Sequence, residues 1–268
     1  MLAEILIKNR SVSPLVHCIT NYVTANDCAN LLLACGGSAI MADDPDEVEE
    51  ITSLCSGVVL NLGTPNPRKL EALLKAGQKA AQLRHGIVFD PVGVGGSQLR
   101  QKAAQQLLST VPCSVIRGNS SEIRTLVQGC GAHRGVDADT DSAVEDRLAL
   151  AKTLAKHSGA VVVLTGTEDI VTDGENTYRV QNGHPMMGSV TGSGCMLSAL
   201  LGAYVSANPE QPLTAALAAV CAMGLCGEIA HQRLTPLDGN ATYRNYIIDA
   251  IYNLTPEELE KGANYELC

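Results

Sequence analysis

The chain has no tryptophan, a single phenylalanine and an aromatic share of 3%. Its 46% apolar fraction must therefore pack through Leu, Val, Ile and Ala. Those residues suit parallel strands covered by helices on both faces. Runs of Lys or Arg are also missing, and the formal net charge is -9. Neither nucleic acid nor an anionic membrane is an expected partner, because each needs a basic patch. No apolar stretch reads as long enough to span a bilayer. The opening Met1-Leu-Ala-Glu-Ile-Leu-Ile-Lys8 has neither the basic head nor the small-residue cleavage pattern of an export signal. These absences together give the expectation of a cytoplasmic protein.

Cysteine is plentiful, with ten residues, but no two are spaced C-x-x-C and no zinc pattern occurs. Nine of the ten read as reduced, buried small hydrophobes. Cys195 is set apart by its neighbours.

What is present is an alternation. Val- and Ile-rich runs at 14–19, 38–41, 57–62, 86–89, 113–116 and 160–164 read as strands. Helical patterns lie between them. Leu70, Leu73, Leu74, Ala80 and Leu83 recur at helical spacing, with Pro67 placed for a first turn. Strand, helix, strand in succession implies right-handed crossovers and a largely parallel sheet. At Asp169 the rhythm changes: 169–172 and 177–181, separated by Asp173-Gly-Glu-Asn176, predict an antiparallel hairpin at the sheet edge. Beyond it the pattern is helical at 196–205, 213–229 and 243–254. No Pro/Gly-rich linker divides the 268 residues, so one domain is expected over 1–268, with 129–141 as its most mobile surface loop.

In an open α/β sheet, ligands bind beyond the carboxyl ends of the strands. Five of those ends are polar here: His17-Cys-Ile-Thr-Asn21, Asn61-Leu-Gly-Thr64, Asp90-Pro-Val-Gly-Val-Gly95, Arg117-Gly-Asn-Ser-Ser-Glu122 and Thr165-Gly-Thr167. The sharpest motif is Val190-Thr-Gly-Ser-Gly-Cys195, followed at once by an apolar helix. Its glycines let successive N–H groups converge where a helix adds partial positive charge, which makes an anion site of Gly192, Ser193 and Gly194. The G-K-[ST] ending of a Walker A loop is absent, and so is the dinucleotide G-x-G-x-x-G. Asp90 and Glu122 suit Mg²⁺ held through water, and Arg117 suits a phosphate. Singly these residues also read as a turn, a capping box with Asn119 and an ion pair. Jointly they favour a nucleotide site for phosphoryl transfer.

Across nearly its whole length the chain resembles the hydroxyethylthiazole kinases, the thiamine-salvage branch of the ribokinase-like superfamily. The segments that carry the resemblance are Pro14-Leu-Val-His-Cys-Ile-Thr-Asn21, Met41-Ala42, Asp90-Pro-Val-Gly-Val-Gly95, Arg117-Gly-Asn119 and Val190-Thr-Gly-Ser-Gly-Cys195. That branch ends the anion-hole turn in cysteine where the superfamily usually has aspartate. The resemblance implies a three-layer α/β/α sandwich and ATP-dependent phosphorylation of 4-methyl-5-(2-hydroxyethyl)thiazole. It implies Asn21, Met41 and Gly192 at the thiazole, Arg117 and Thr165 at ATP, Asp90 and Glu122 on the Mg²⁺ side, and Cys195 as proton acceptor. A homotrimer with its pocket between subunits is implied too. Met187-Gly188-Ser189, Cys55 and Leu62 depart from the family's common choices. His17 and Cys18 read as hydrogen-bonding and packing residues rather than as reactants. A kinase for another alcohol such as a hydroxymethylpyrimidine, a nucleotide-dependent NAD(P)H-hydrate dehydratase, and a non-catalytic relative share this fold. Asn21 with Met41, Cys195, and the Asp90, Glu122 and Arg117 set respectively argue against the three. A helix N-terminus is expected to lower the Cys195 pKa. Bound phosphate shares the same field, so Cys195 is expected to assist the reaction rather than carry it.

Overall fold

The computed structural model describes residues 1–129 and 144–268, so the loop expected at 129–141 lies, Gly129 apart, outside the described residues. The chain runs α1 (Leu2–Val12), β1 (Leu15–Ile19), α2 (Ala25–Ala34), β2 (Ser38–Ile40), α3 (Val48–Leu54), β3 (Gly57–Asn61), α4 (Pro67–Leu83) and β4 (Gly86–Asp90). It continues through α5 (Gln98–Thr110), β5 (Val115–Asn119), α6 (Ser120–Gly129), α7 (Val144–Ser158), β6 (Val161–Thr165), β7 (Asp169–Thr172) and β8 (Thr177–Val180). Last come α8 (Ser193–Ala207), α9 (Pro212–Gln232), α10 (Asn240–Asn253), α11 (Pro256–Gly262) and β9 (Tyr265–Leu267).

One sheet holds the strands in the order β2-β1-β3-β4-β5-β6-β7-β8-β9. β2 through β6 are parallel, and β7, β8 and β9 add antiparallel strands at one edge. Every residue of β3 and β4 is buried, because helices cover both faces. Successive side chains point to opposite faces. Val59, Val88, Val115 and Val163 therefore join the layer of α1, α2, α8, α9 and α10. Leu60, Phe89, Ile116 and Val162 join the layer of α4 to α7. The result is the expected three-layer α/β/α sandwich.

α8 lies at the centre of the first layer, and twelve of its fifteen residues are buried. Gly202 permits its close approach to the sheet, since a Cβ there would stand 2.5 Å from Val59 Cγ2. α9 corrects a reading of the sequence: its 21 residues, with a mean hydropathy of 1.8, are long and apolar enough to cross a membrane. That stretch is 72% buried within the fold, so it is a core helix. Among the nine described cysteines, eight are buried and Cys268 alone is exposed; none forms a disulfide.

Most strands agree with expectation to within a residue at each end, and β5 and β9 differ more. β5 begins at Val115 and continues to Asn119, because Arg117, Gly118 and Asn119 pair with Val163, Leu164 and Thr165 of β6. The terminal Tyr265–Leu267, which carries no clear period, pairs antiparallel with β8.

Candidate active site

Parallel register brings the strand ends level. Asn61 pairs with Asp90 across β3 and β4, and Asn119 with Thr165 across β5 and β6. The turn at 191–194 faces this edge. Gly192 caps α8 with φ +87, a left-handed conformation that glycine adopts without strain. A Cβ at Gly192 would sit 2.9 Å from Thr24 Cβ, and one at Gly194 would sit 2.7 Å from the central carbon of the Arg117 guanidinium. Close approach calls for glycine at both positions, and the turn calls for it at Gly192 as well.

Cys195 occupies the first turn of α8 and is buried. Asn21 Nδ2 donates to its Sγ at 3.3 Å, and Asn61 Nδ2 approaches the same sulfur at 3.4 Å. Asn61 Nδ2 also donates to Asp90 Oδ2 at 3.0 Å, which Ser198 Oγ reaches at 2.7 Å. Arg117 Nη1 lies 3.8 Å from that oxygen, while Nη2 donates to Thr165 Oγ1 at 2.8 Å. Residues scattered from 21 to 198 thus form one connected cluster.

Burial sets the electrostatics. It pushes the Asp90 carboxyl up to about 6, against the opposing pull of Arg117, Ser198 and Asn61. Burial, reinforced by the Asp90 charge, pushes the Cys195 thiol up to about 11. The expectation that the helix terminus lowers this pKa is therefore corrected: loss of water outweighs the favourable end of α8.

Glu122 accepts from the backbone N–H of Asn119 at 2.9 Å and of Gly93 at 2.8 Å. Asn119 Oδ1 accepts from Glu122 N at 2.9 Å, so the capping box exists. Asp90 Oδ1 is buried with no hydrogen-bond partner among the described residues. A cation bridged by water suits that orphaned oxygen. Among the described residues no cluster of three or more His, Cys, Asp or Glu is positioned to hold a metal.

Arg117 and Thr165 open onto a cleft of about 550 Å³, also lined by Ser193, Gly194, Asp169 and Val220. A larger space of about 830 Å³ between α5, α6 and α7 contains none of the expected site residues. Met41 follows β2 and packs, half-buried, against the α8 layer; among the described residues no hydrogen bond links it to the Cys195 cluster. His17 reaches its neighbourhood instead: Nε2 pairs with the Ala42 carbonyl at 2.8 Å and Nδ1 with Thr52 Oγ1 at 2.9 Å. Burial lowers the His17 pKa, so the neutral ring donates to Ala42 and accepts from Thr52. Cys18 is buried.

The Hydroxyethylthiazole kinase family model matches residues 6–257. The chain belongs to the hydroxyethylthiazole kinase family. It is 53% identical to the hydroxyethylthiazole kinase of Clostridium acetobutylicum, with 99% of each chain covered. It is 42% identical to that of Alkaliphilus oremlandii over 97% of this chain and 95% of the relative. The solved hydroxyethylthiazole kinase structure from Pyrococcus horikoshii OT3 superposes with a TM-score of 0.91 at 33% identity, covering 100% of this chain and 98% of that one. A pyridoxal kinase from Staphylococcus aureus in complex with AMP-PCP and pyridoxal, 14% identical with a TM-score of 0.63 and 95% and 98% coverage, shares the fold alone.

Ser198 and Asp169 have no expected site role in the sequence, and Asn61 is named there only as one of the polar strand ends. Asn61 bridges Cys195 and Asp90, Ser198 completes the Asp90 shell, and Asp169 lines the cleft with its carboxyl pushed by burial to about 6. Asn61 had a signal, as the last residue of a buried strand ending in a polar side chain.

Proposed function

We propose that this chain transfers the γ-phosphoryl group of ATP to the hydroxyl of 4-methyl-5-(2-hydroxyethyl)thiazole. The carrying observation is the meeting of Gly194, Arg117, Asp90 and Cys195 at the head of α8, in a member of this family. ATP lies with its phosphates toward Arg117, Thr165 and the 192–194 turn. The acceptor hydroxyl sits beside Gly192 and Cys195, with Asn21 and Met41 on the thiazole side. The alcohol oxygen forms a bond to the γ-phosphorus as the bond to the β-bridging oxygen breaks, and ADP leaves.

Arg117 donates Nη2 to Thr165 and keeps Nη1 at 3.8 Å from Asp90, too long for a hydrogen bond, so Nη1 is the donor open to a phosphate oxygen. The turn supplies backbone N–H groups where charge develops. Asp90 and Glu122 are the residues to hold Mg²⁺, Asp90 through its unpartnered Oδ1. When bound, Mg²⁺ neutralises charge on the phosphates. With its thiol near 11, Cys195 is protonated at neutral pH and does not take the alcohol proton, which a loose transition state keeps in place until late and which then passes to an oxygen of the transferred phosphoryl group.

The chain is read as one domain, working in the cytoplasm as a homotrimer whose neighbouring subunit completes the thiazole pocket. Tyr22 and Val23, 68% and 65% exposed directly after Asn21, support that reading by offering apolar surface beside the site. A coupled ADP-release assay with the thiazole alcohol, a hydroxymethylpyrimidine and no acceptor tests the function. Turnover is expected only with the thiazole; equal turnover with the pyrimidine would overturn the assignment.

A further inference from the structure

Lys69 belongs to the amphipathic helix α4 yet is 1% exposed. A buried ammonium is costly unless its donors are satisfied. Its Nζ donates to the carbonyl of Thr20 at 2.7 Å and of Gly63 at 2.5 Å. No carboxylate lies within ion-pair distance among the described residues, so the two backbone carbonyls hold this cation directly and Asp43 acts on it only at longer range.

Both carbonyls adjoin the cluster. Thr20 precedes Asn21. Gly63 follows Asn61 by two residues, and its own N–H donates to Asn61 Oδ1 at 2.9 Å. The same oxygen accepts from Asn21 Nδ2 at 3.3 Å. With Oδ1 so occupied, the Asn61 amide can turn only Nδ2 toward Asp90 and Cys195. A Cβ at Gly63 would stand 2.8 Å from Asn61 Oδ1 and 2.9 Å from Asn21 Cβ, so the loop fits directly against both amides. One ammonium thus ties the end of β1 to the loop after β3, and those two segments supply both donors to the Cys195 sulfur.

We infer that Lys69 is a positioning residue for phosphoryl transfer, acting through the Thr20 and Gly63 carbonyls to fix the Asn21 and Asn61 amides against Cys195 and Asp90. The inference rests on the kinase reading above. Arg117, Thr165 and Asp169 stand on β5, β6 and β7, which Lys69 does not contact by any hydrogen bond. ATP affinity should therefore be insulated from its loss.

The test is a double-mutant cycle of Lys69→Met and Asn61→Ala, with kcat and both KM values measured per folded enzyme. Lys69→Met is expected to lower kcat at least tenfold and leave the KM for ATP within twofold. In the Asn61→Ala background its further effect should fall below twofold. Additive losses, or a KM for ATP rising as much as kcat falls, would overturn the inference. Should Lys69→Met not fold, Lys69→Gln, which retains N–H donors, enters the same cycle with a smaller expected loss. A second readout needs no turnover: the alkylation rate of Cys195 in the apo chain, resolved by peptide mass spectrometry. Each single variant should raise that rate, and the double variant should not exceed Asn61→Ala. An unchanged rate in Lys69→Met sinks the positioning role even if the acceptor proves not to be the thiazole.

Discussion

Asn61 Nδ2 stands 3.0 Å from Asp90 Oδ2 and 3.4 Å from Cys195 Sγ, so one amide group serves both the buried carboxylate and the buried thiol. An acid and a thiol that share a donor and lack water hold each other toward their neutral forms, and their protonation is linked.

Asp90→Asn separates stability from catalysis. Burial raises this carboxyl to about 6, above its value in an unfolded chain, so the native state holds the proton more tightly between roughly pH 4 and 6. Its contribution is thus present at low pH and lost as pH rises through about 6. The Tm of Asp90→Asn minus that of the natural chain should become more positive from pH 4 to 6 and stay level above 7. Turnover in the ADP-release assay should fall by about a hundredfold or more, the scale of losing a key transition-state contact. A shrinking Tm difference with rising pH would contradict the buried-acid account.

Cys195→Ser should cost less than about tenfold in kcat, because base catalysis matters little in a loose phosphoryl transfer. If the thiolate were required, a thiol near 11 would make log kcat climb with unit slope between pH 7 and 10. A profile flat within about twofold from pH 7 to 9 is expected instead, measured on both proteins. Unit slope in the natural chain, abolished by serine, would restore Cys195 as the essential base.

Gly194→Ala places a methyl group against the Arg117 guanidinium. Displacing that fork should lower kcat/KM for ATP by about a hundredfold, on the scale of oxyanion-donor losses. Thermal unfolding should report a change of no more than about 2 kcal/mol, typical of a local overpacking. Isothermal titration with a non-hydrolysable ATP analogue would show whether binding or turnover carries the loss.

Glu122→Gln and Glu122→Ala divide capping from metal binding. Glutamine keeps an oxygen for the Asn119 or Gly93 N–H, so its Tm should stay near that of the natural chain, whereas alanine should lose about 1 kcal/mol with the capping box. Both should raise the Mg²⁺ concentration needed for half-maximal turnover. An unaltered Mg²⁺ requirement would reduce Glu122 to a cap.

Much of the architecture was legible because buried parallel strands are continuous apolar runs, and 57–62 and 86–89 coincide closely with β3 and β4. β5 was truncated in the reading since Arg117-Gly-Asn119 has the composition of a loop, although its backbone pairs with β6. β9 is a three-residue strand whose existence depends on β8, and no local period announces it. At the site, the glycine turn and Asp90 stood out through local chemistry. Lys69 did not, because a lysine in a helix reads as a solvated face until the tertiary fold closes over it. Asn21, Asn61 and Cys195 meet only in three dimensions, and that meeting reverses the expected direction of the thiol pKa.

The burial of α8 along most of its length carries a consequence for timing within the catalytic cycle. A helix walled in by the sheet, α1, α2 and α9 cannot swing toward an arriving nucleotide. Its leading amides are already aimed before either substrate enters, so little reorganisation energy remains to be supplied when the phosphoryl group moves. Adjustment to an arriving substrate is then left to the 182–188 stretch, which lines the same cleft outside any long helix.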